Sequence, residues 1–337
     1  MKTVTLRAPG GLDSLEVRDT PDPGQPGPGQ IRVAIRATSL NYHDLLVANG
    51  SIPTEDGRVL MSDGAGVVEA VGEGVTEFQI GDHVVSGFFP QWQDGQAYDR
   101  VGNFAETPGD GVDGFAAEYA VRAATDFTHA PTGWSHAEAA TITTAGLTAW
   151  RALVVEGNLK AGQSVLVLGT GGVSIAALQI AKAMGARVIV TSSSDAKLAR
   201  ARKLGADQTI NYRRCPDWGH EVLSLTEGRG VDHVVEVGGP GTLSQSFQAV
   251  CVGGHIALIG VLTGREGQVP TGLLMAKQAR LQGLIVGNRR QQQDYIAALQ
   301  QNDLRPVIDQ SFRLDQLAEA FAVQQSGGHF GKIVVEW

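Results

Sequence analysis

The segment Val165-Leu166-Val167-Leu168-Gly169-Thr170-Gly171-Gly172-Val173-Ser174 constrains the fold of this chain more than any other. A short apolar run of strand type ends in a glycine turn. The turn opens a stretch with helical apolar spacing at Val173, Ala176, Ala177, Ile180 and Ala181. Strand, tight turn and helix in that order bring free backbone N–H groups and the positive end of a helix dipole to one point. Such a point holds a pyrophosphate. Gly169 suits the tight turn, Gly171 lets the backbone approach the phosphates, and Gly172 and Val173 begin the helix. Ser174 stands where the third glycine of a dinucleotide fingerprint is usual, and it is still small enough for close helix–strand packing. The pattern predicts a dinucleotide site rather than a structural turn.

The rest of the chain extends this unit. From about residue 126, strand-type runs at 188–190, 209–212, 231–237, 255–261 and 281–286 alternate with helical stretches at 172–184, 195–204 and 242–250. That alternation predicts a doubly wound parallel sheet with helices on both faces, a Rossmann-type α/β domain. Residues 1–125 read differently: short β runs at 31–37, 66–71 and 81–85 lie between Gly and Pro, and 88–114 reads as a long Gly/Asp-rich loop. A helix and strand pattern at 314–325 and 332–335 closes the chain, and residues 290–337 are assigned back to the first, β-rich domain. The Rossmann domain is placed at 126–289. Two domains also suit a length of 337 residues.

Composition excludes several classes. Two cysteines, Cys215 and Cys251, build neither a disulfide framework nor a Cys-rich zinc site. A net charge of −8 disfavours a nucleic-acid binder with a broad basic face. No apolar run reaches the roughly 18 residues of a membrane helix, and the first residues do not read as a signal peptide. A cytoplasmic protein is expected.

The end of the second Rossmann strand decides the expected cofactor. An NAD site usually places an acid there, on the ribose hydroxyls. Here Ser192, Ser193 and Lys197 offer hydroxyls and a positive charge suited to a 2′-phosphate, while Asp195 is expected to cap the following helix. NADPH is the expected cofactor, with NADH as the other option.

Further segments resemble one family almost end to end. They include Leu40-Asn41-Tyr42-His43-Asp44-Leu45, Ser62-Asp63-Gly64-Ala65-Gly66-Val67-Val68, Gly81-Asp82-His83-Val84, Ala145-Gly146-Leu147-Thr148-Ala149-Trp150 and Gly328-His329-Phe330-Gly331-Lys332. With the glycine turn, their order resembles the medium-chain dehydrogenase/reductases, in the zinc-free branch similar to quinone oxidoreductases. The resemblance implies a GroES-like catalytic domain, a Rossmann domain inserted before its C-terminal part, a cleft between them and a homodimer. In zinc-dependent members two cysteines and a histidine hold the catalytic metal. The matching places here are Asn41, Ser62 and, at or beside it, Thr144, and 88–114 lacks the four structural-zinc cysteines. Both zinc sites are expected to be absent.

Without a metal, activated acceptors are the easier substrates. Quinones, α,β-unsaturated carbonyls and reactive aldehydes need mainly a placed nicotinamide and donors to the developing oxyanion. His43 stands where zinc members keep a proton-relay hydroxyl and is the first catalytic candidate, followed by Tyr42 and Asn41. The competing reading for His43 is packing, or a bond to Asp44. The resemblance places Thr148 on the nicotinamide carboxamide and Tyr212 near the adenosine 2′-phosphate. It places Val237 on the adenine side, and Ile259, Val286 and Asn288 on the nicotinamide side; ordinary strand-end packing is the alternative for these. Trp92, Phe88, Phe89 and Trp150 could line an acceptor pocket. Members of the resembled family that reduce enoyl thioesters carry a catalytic tyrosine shortly after the Asn41–Leu45 motif, where Ser51 and Ile52 stand here, so the resemblance argues against acyl-thioester reduction. The competing functions are an alcohol dehydrogenase for small alcohols or aldehydes, and a non-enzymatic NADPH-binding protein of the crystallin kind.

Overall fold

The computed structural model describes residues Met1–Trp337. The chain folds as two compact units, one of Met1–Leu147 with Val286–Trp337 and one of Thr148–Ile285.

In the second unit, six parallel strands line up in the order Gln208–Asn211, Arg187–Ser192, Ser164–Leu168, Val231–Glu236, Val250–Leu258 and Arg280–Gly283. Ser164–Leu168 is the first of these in sequence, so the chain winds outward both ways from it. The strand order reverses between Ser164–Leu168 and Val231–Glu236, the doubly wound topology of nucleotide-binding sheets. The central strands are buried on both faces, which explains their continuous Val/Leu/Ile character. Leu166, Val234, Leu243, Phe247 and Ile256 share one cluster on this sheet.

The first unit is built around the long strand Gln30–Ser39. It pairs antiparallel with Ala65–Val71, Tyr119–Ala123 and Lys332–Glu336. Ile31, Val33 and Ile35 pack with Val68, Val84, Phe115 and Phe127 on one face of the sheet. The last strand enters with Val334 opposite Ser39, so Lys332 arrives beside the residues that follow Ser39. The helix Tyr42–Ala48 follows the strand Gln30–Ser39, with Asn41 as its N-cap.

The boundaries differ from the sequence expectation. The first unit runs to Leu147, not 125, because Phe127–His129 pairs with His83–Ser86 in its sheet. The alanines of the helix His136–Ala140 pack on Ala37 and Ala65 of the same sheet. Small residues allow that close approach, and periodicity alone does not reveal which domain they approach. The second boundary falls at 285/286 rather than 289/290. A 13-residue helix, Arg289–Gln301, was hidden by its polar Arg/Gln start. The helix end around Thr143 and Thr144 has π geometry over Ile142–Gly146, a widening that recurs at functional sites.

Candidate active site

In the first unit the carboxylate of Asp63 is wholly buried and gathers three donors. Its Oδ2 accepts from Ser39 Oγ at 2.5 Å and Asn41 Nδ2 at 2.8 Å, and its Oδ1 accepts from Thr144 Oγ1 at 2.6 Å. Lys332 Nζ lies 3.8 Å from Oδ2 and donates to Leu40 O and Asn41 Oδ1, both at 2.6 Å. Asp44 accepts from the backbone N–H groups of Asn41 and Ser62, each at 2.9 Å. Burial pushes the Asp63 carboxyl up, and burial pulls the Lys332 ammonium down while Asp63 opposes it. The ammonium and three donors around Asp63 describe a buried ion pair.

Asn41, Ser62 and Thr144 are therefore knitted into this network rather than turned out toward a ligand. The set comprises one carboxamide, two hydroxyls and a buried ammonium within 2.6 Å of the carboxamide oxygen. Zinc is held by thiolates, imidazoles and carboxylates, and a cation beside Lys332 would be repelled; these residues do not fit it. The same geometry bears on Asn41 as an oxyanion donor. Its Nδ2 points at Asp63, Ser39 O and Ser62 Oγ and its Oδ1 at Lys332, so the amide is committed internally. Tyr42 is exposed at the first turn of its helix.

His43 is placed differently. Asp44 is occupied by Asn41 and Ser62, and the carboxylate facing His43 is Asp110, with Nε2 and Oδ2 3.0 Å apart. The approach lies off the hydrogen-bonding direction, and neither atom has another partner. The contact is thus an ion pair whenever the ring is protonated. Phe104 packs on the ring at 4.5 Å and Phe88 meets it edge-on at 5.7 Å. Phe88, Phe89 and Trp92 continue the aromatic wall. Asp110 was not legible in the sequence, because it lies in the long loop and meets His43 only through the fold.

In the second unit Gly169 has φ 74, the left-handed turn that only glycine adopts without strain. Gly171 precedes the helix Gly172–Ala183 as its N-cap, with Gly172 and Val173 in the first turn. Ser174 Oγ donates to Leu168 O at 2.7 Å, tying helix to strand where a third glycine would only permit contact. The turn's N–H groups and this helix start are the residues that would hold a pyrophosphate.

At the next strand end, Ser194 rather than Asp195 caps the following helix, accepting from Lys197 N. Asp195 instead accepts from Asn211 Nδ2 at 2.8 Å and pairs with Arg214. Its charge is compensated, which removes the objection it posed to a 2′-phosphate. Ser192 is buried, Ser193 and Lys197 are half-buried, and Tyr212 is exposed with its N–H on Ser192 O at 3.1 Å. Arg213, exposed beside Tyr212, adds positive charge that the sequence reading overlooked.

Val237 follows a buried carboxylate that pattern reading also missed. Glu236 Oε1 accepts from Gly238 N at 2.8 Å, Gly239 N at 3.1 Å and Thr242 Oγ1 at 2.6 Å, and Oε2 accepts from Ser246 Oγ. Ile259 N and Gly260 N both donate to Glu236 O. Glu236 thus shapes the turns bearing Val237 and Ile259. An acid closing an apolar strand before two glycines was the available signal. Thr148 is buried in this unit. In the first unit Val286 has φ 44, a strained value for a β-branched residue. Asn288 spends its side chain capping Arg289–Gln301 and donating to Gly95 O.

A doubly wound sheet with a phosphate-type turn and a β-rich unit with a buried polar centre define a nicotinamide-dependent oxidoreductase. Comparison with known proteins is specific. Residues 27–132 match the family described as alcohol dehydrogenase GroES-like domain, and residues 172–301 match zinc-binding dehydrogenase. A zinc-type alcohol dehydrogenase-like protein of Schizosaccharomyces pombe is 42% identical over 97% of this chain and 96% of its own. A Sinorhizobium meliloti structure provisionally assigned as an alcohol dehydrogenase is 43% identical with TM-score 0.92, covering 100% of this chain and 98% of that one. An NAD-dependent alcohol dehydrogenase structure is 37% identical with TM-score 0.90, covering 100% of both chains. The chain belongs to the medium-chain dehydrogenase/reductase superfamily.

Proposed function

We propose that this enzyme is a zinc-independent, NADPH-dependent reductase of quinones, α,β-unsaturated carbonyls or reactive aldehydes. The observation that carries the reading is the network of Asn41, Ser62, Thr144, Asp63 and Lys332 at the places where zinc-dependent relatives keep their ligands. A reduced nicotinamide supplies a hydride when bound. Gly169, Gly171, Gly172 and Val173 would hold its pyrophosphate, and Ser192, Ser193, Lys197 and Tyr212 its 2′-phosphate. Val237 and Ile259 would line the adenine and nicotinamide sides. Thr148, Val286 and Asn288 are assigned to the nicotinamide end.

The acceptor's oxygen gains negative charge and then needs a proton. His43 is assigned as its source. Asp110 lies 3.0 Å from the ring's Nε2, and Phe88, Phe104 and the adjoining aromatics, with Phe88 edge-on to its neighbours, make the surroundings of the ring apolar, as a conjugated acceptor requires. Tyr42 is the second donor. A cytoplasmic homodimer is part of the same proposal; no helix of the chain is long and apolar enough to cross a membrane.

The alternative is an alcohol dehydrogenase for small alcohols or aldehydes, favoured by the descriptions of the relatives above. The test is loss of 340-nm absorbance with NADPH across quinones, enones and aldehydes, beside elemental analysis of protein prepared without chelators. Turnover by protein free of zinc supports the proposal, with His43→Phe lowering kcat about 100-fold. Stoichiometric zinc, together with alcohol oxidation that a chelator abolishes, would overturn it.

A further inference from the structure

We infer that the second unit carries another ligand site, at the end of its sheet opposite the glycine turn, for a small anion bearing phosphate or carboxylate groups. The site is built by the sheet register. Val165, His233, His255 and Arg280 stand side by side on four neighbouring parallel strands. Residues in one row of a parallel sheet project from one face, so two imidazoles and a guanidinium share that face. They line a cavity of about 440 Å³, with the turn around Gly253 and Gly254 at its rim.

Both rings are almost wholly covered, His233 at 4% and His255 at 5% exposure. Each nevertheless holds a buried ring nitrogen without a partner, Nδ1 of His233 and Nε2 of His255. The other nitrogen of His233 faces Gln163 Oε1 at 3.1 Å. Buried polar atoms are ordinarily satisfied. Two unsatisfied ones on residues that line the same cavity point to a missing partner.

Charge chooses the partner. Each carboxylate lining the cavity already has a cation: Glu156 pairs with Arg151, and Asp232 with Arg229 and the Ser164 hydroxyl. The remaining thiol, Cys251, lies 3.9 Å from Asp232. Arg280 bonds only the Glu156 carbonyl, and neither it nor Lys160 meets a carboxylate. Arg280, without a carboxylate partner, therefore faces two imidazoles; burial and Arg280 oppose protonation of both rings, while Asp232 favours it at His233. A metal cation would be repelled. An anion would give Arg280 its counter-ion and would accept from an imidazole that takes up a proton. The volume exceeds that of inorganic phosphate and suits a phosphate ester or a polycarboxylate.

The test follows the histidine ring signals of the full chain by NMR during titration with inorganic phosphate, citrate or zinc chloride. The expected result is saturable movement of the His233 and His255 signals with millimolar phosphate or citrate, and a His255 titration displaced to higher pH. Arg280→Gln, and separately His255→Asn, should weaken that binding about tenfold. NADPH affinity and melting temperature should stay near wild type, because the glycine turn is at the other end of the strands. The inference is overturned if neither anion moves these signals, if Arg280→Gln responds like the parent, or if only zinc moves them.

Discussion

Replacing Lys332 with Met tests the buried centre of the first unit most directly. The substitution keeps much of the side-chain volume and removes the charge. It strands the Leu40 carbonyl and the Asn41 Oδ1, each now 2.6 Å from the ammonium. It also leaves Asp63 with its hydroxyl and amide donors but no cation, at zero exposure. Breaking a buried pair by removing one partner costs about 3–5 kcal/mol. The first unit has about 200 residues, for which each kcal/mol moves the melting point by roughly 2–4 °C, so its transition should fall by about 6–20 °C. Calorimetry at neutral pH reads this. The sign of the pH response is a second check. Asp63 already has a raised carboxyl, and losing Lys332 raises it further. The folded variant then holds its proton to higher pH than the unfolded chain does. Its deficit should shrink on acidification, as protonation removes the stranded charge. The double variant Asp63→Asn/Lys332→Met should be less destabilised than Lys332→Met alone. A Lys332→Met protein that melts within about 2 °C of the parent at neutral pH, or that loses further ground on acidification, would refute the ion-pair account.

Other outcomes follow from the second unit. Glu236→Gln places an NH₂ group among donors that now meet a carboxylate, and should cost about 2–3 kcal/mol in denaturant titration, visible as a lower midpoint. Lys197→Ala should raise the NADPH dissociation constant about tenfold and leave that for NADH nearly unchanged, as measured by titration calorimetry. Equal losses for both cofactors would remove Lys197 from the 2′-phosphate site. Burial depresses the His255 ring from 6.5 to about 4. The unfolded chain therefore binds the extra proton first, and stability is lost as pH falls from 6.5 toward 4. With partial solvent access the loss is on the order of 2 kcal/mol, and His255→Leu should flatten that part of the stability–pH curve.

Local chemistry made much of this molecule readable. The glycine turn, its strand and its helix follow from residues within ten positions of one another, because φ above zero, strand burial and helical spacing are short-range requirements. The acidic residue missing from the second strand end is legible for the same reason, and so are the residues standing at the expected zinc positions. The partners of those residues are not. Lys332 meets Asn41 across 291 positions, Thr144 meets Asp63 across 81, and Asp110 reaches His43 from a loop with no period of its own. The domain boundary was misplaced where small alanines pack equally well on either side of a pattern. The assignment of Asp195 as a cap also failed on a longer-range contact, since Asn211 at the end of the neighbouring strand and Arg214 in the turn after it claim it. Hydrogen bonds and charge pairs are decided by distance in space. Strand register alone set four distant residues in one row to make the His233–His255–Arg280 face. Chain order therefore determined which elements form and what chemistry they carry, and tertiary packing decided which polar groups are spent on each other and which remain open to a ligand.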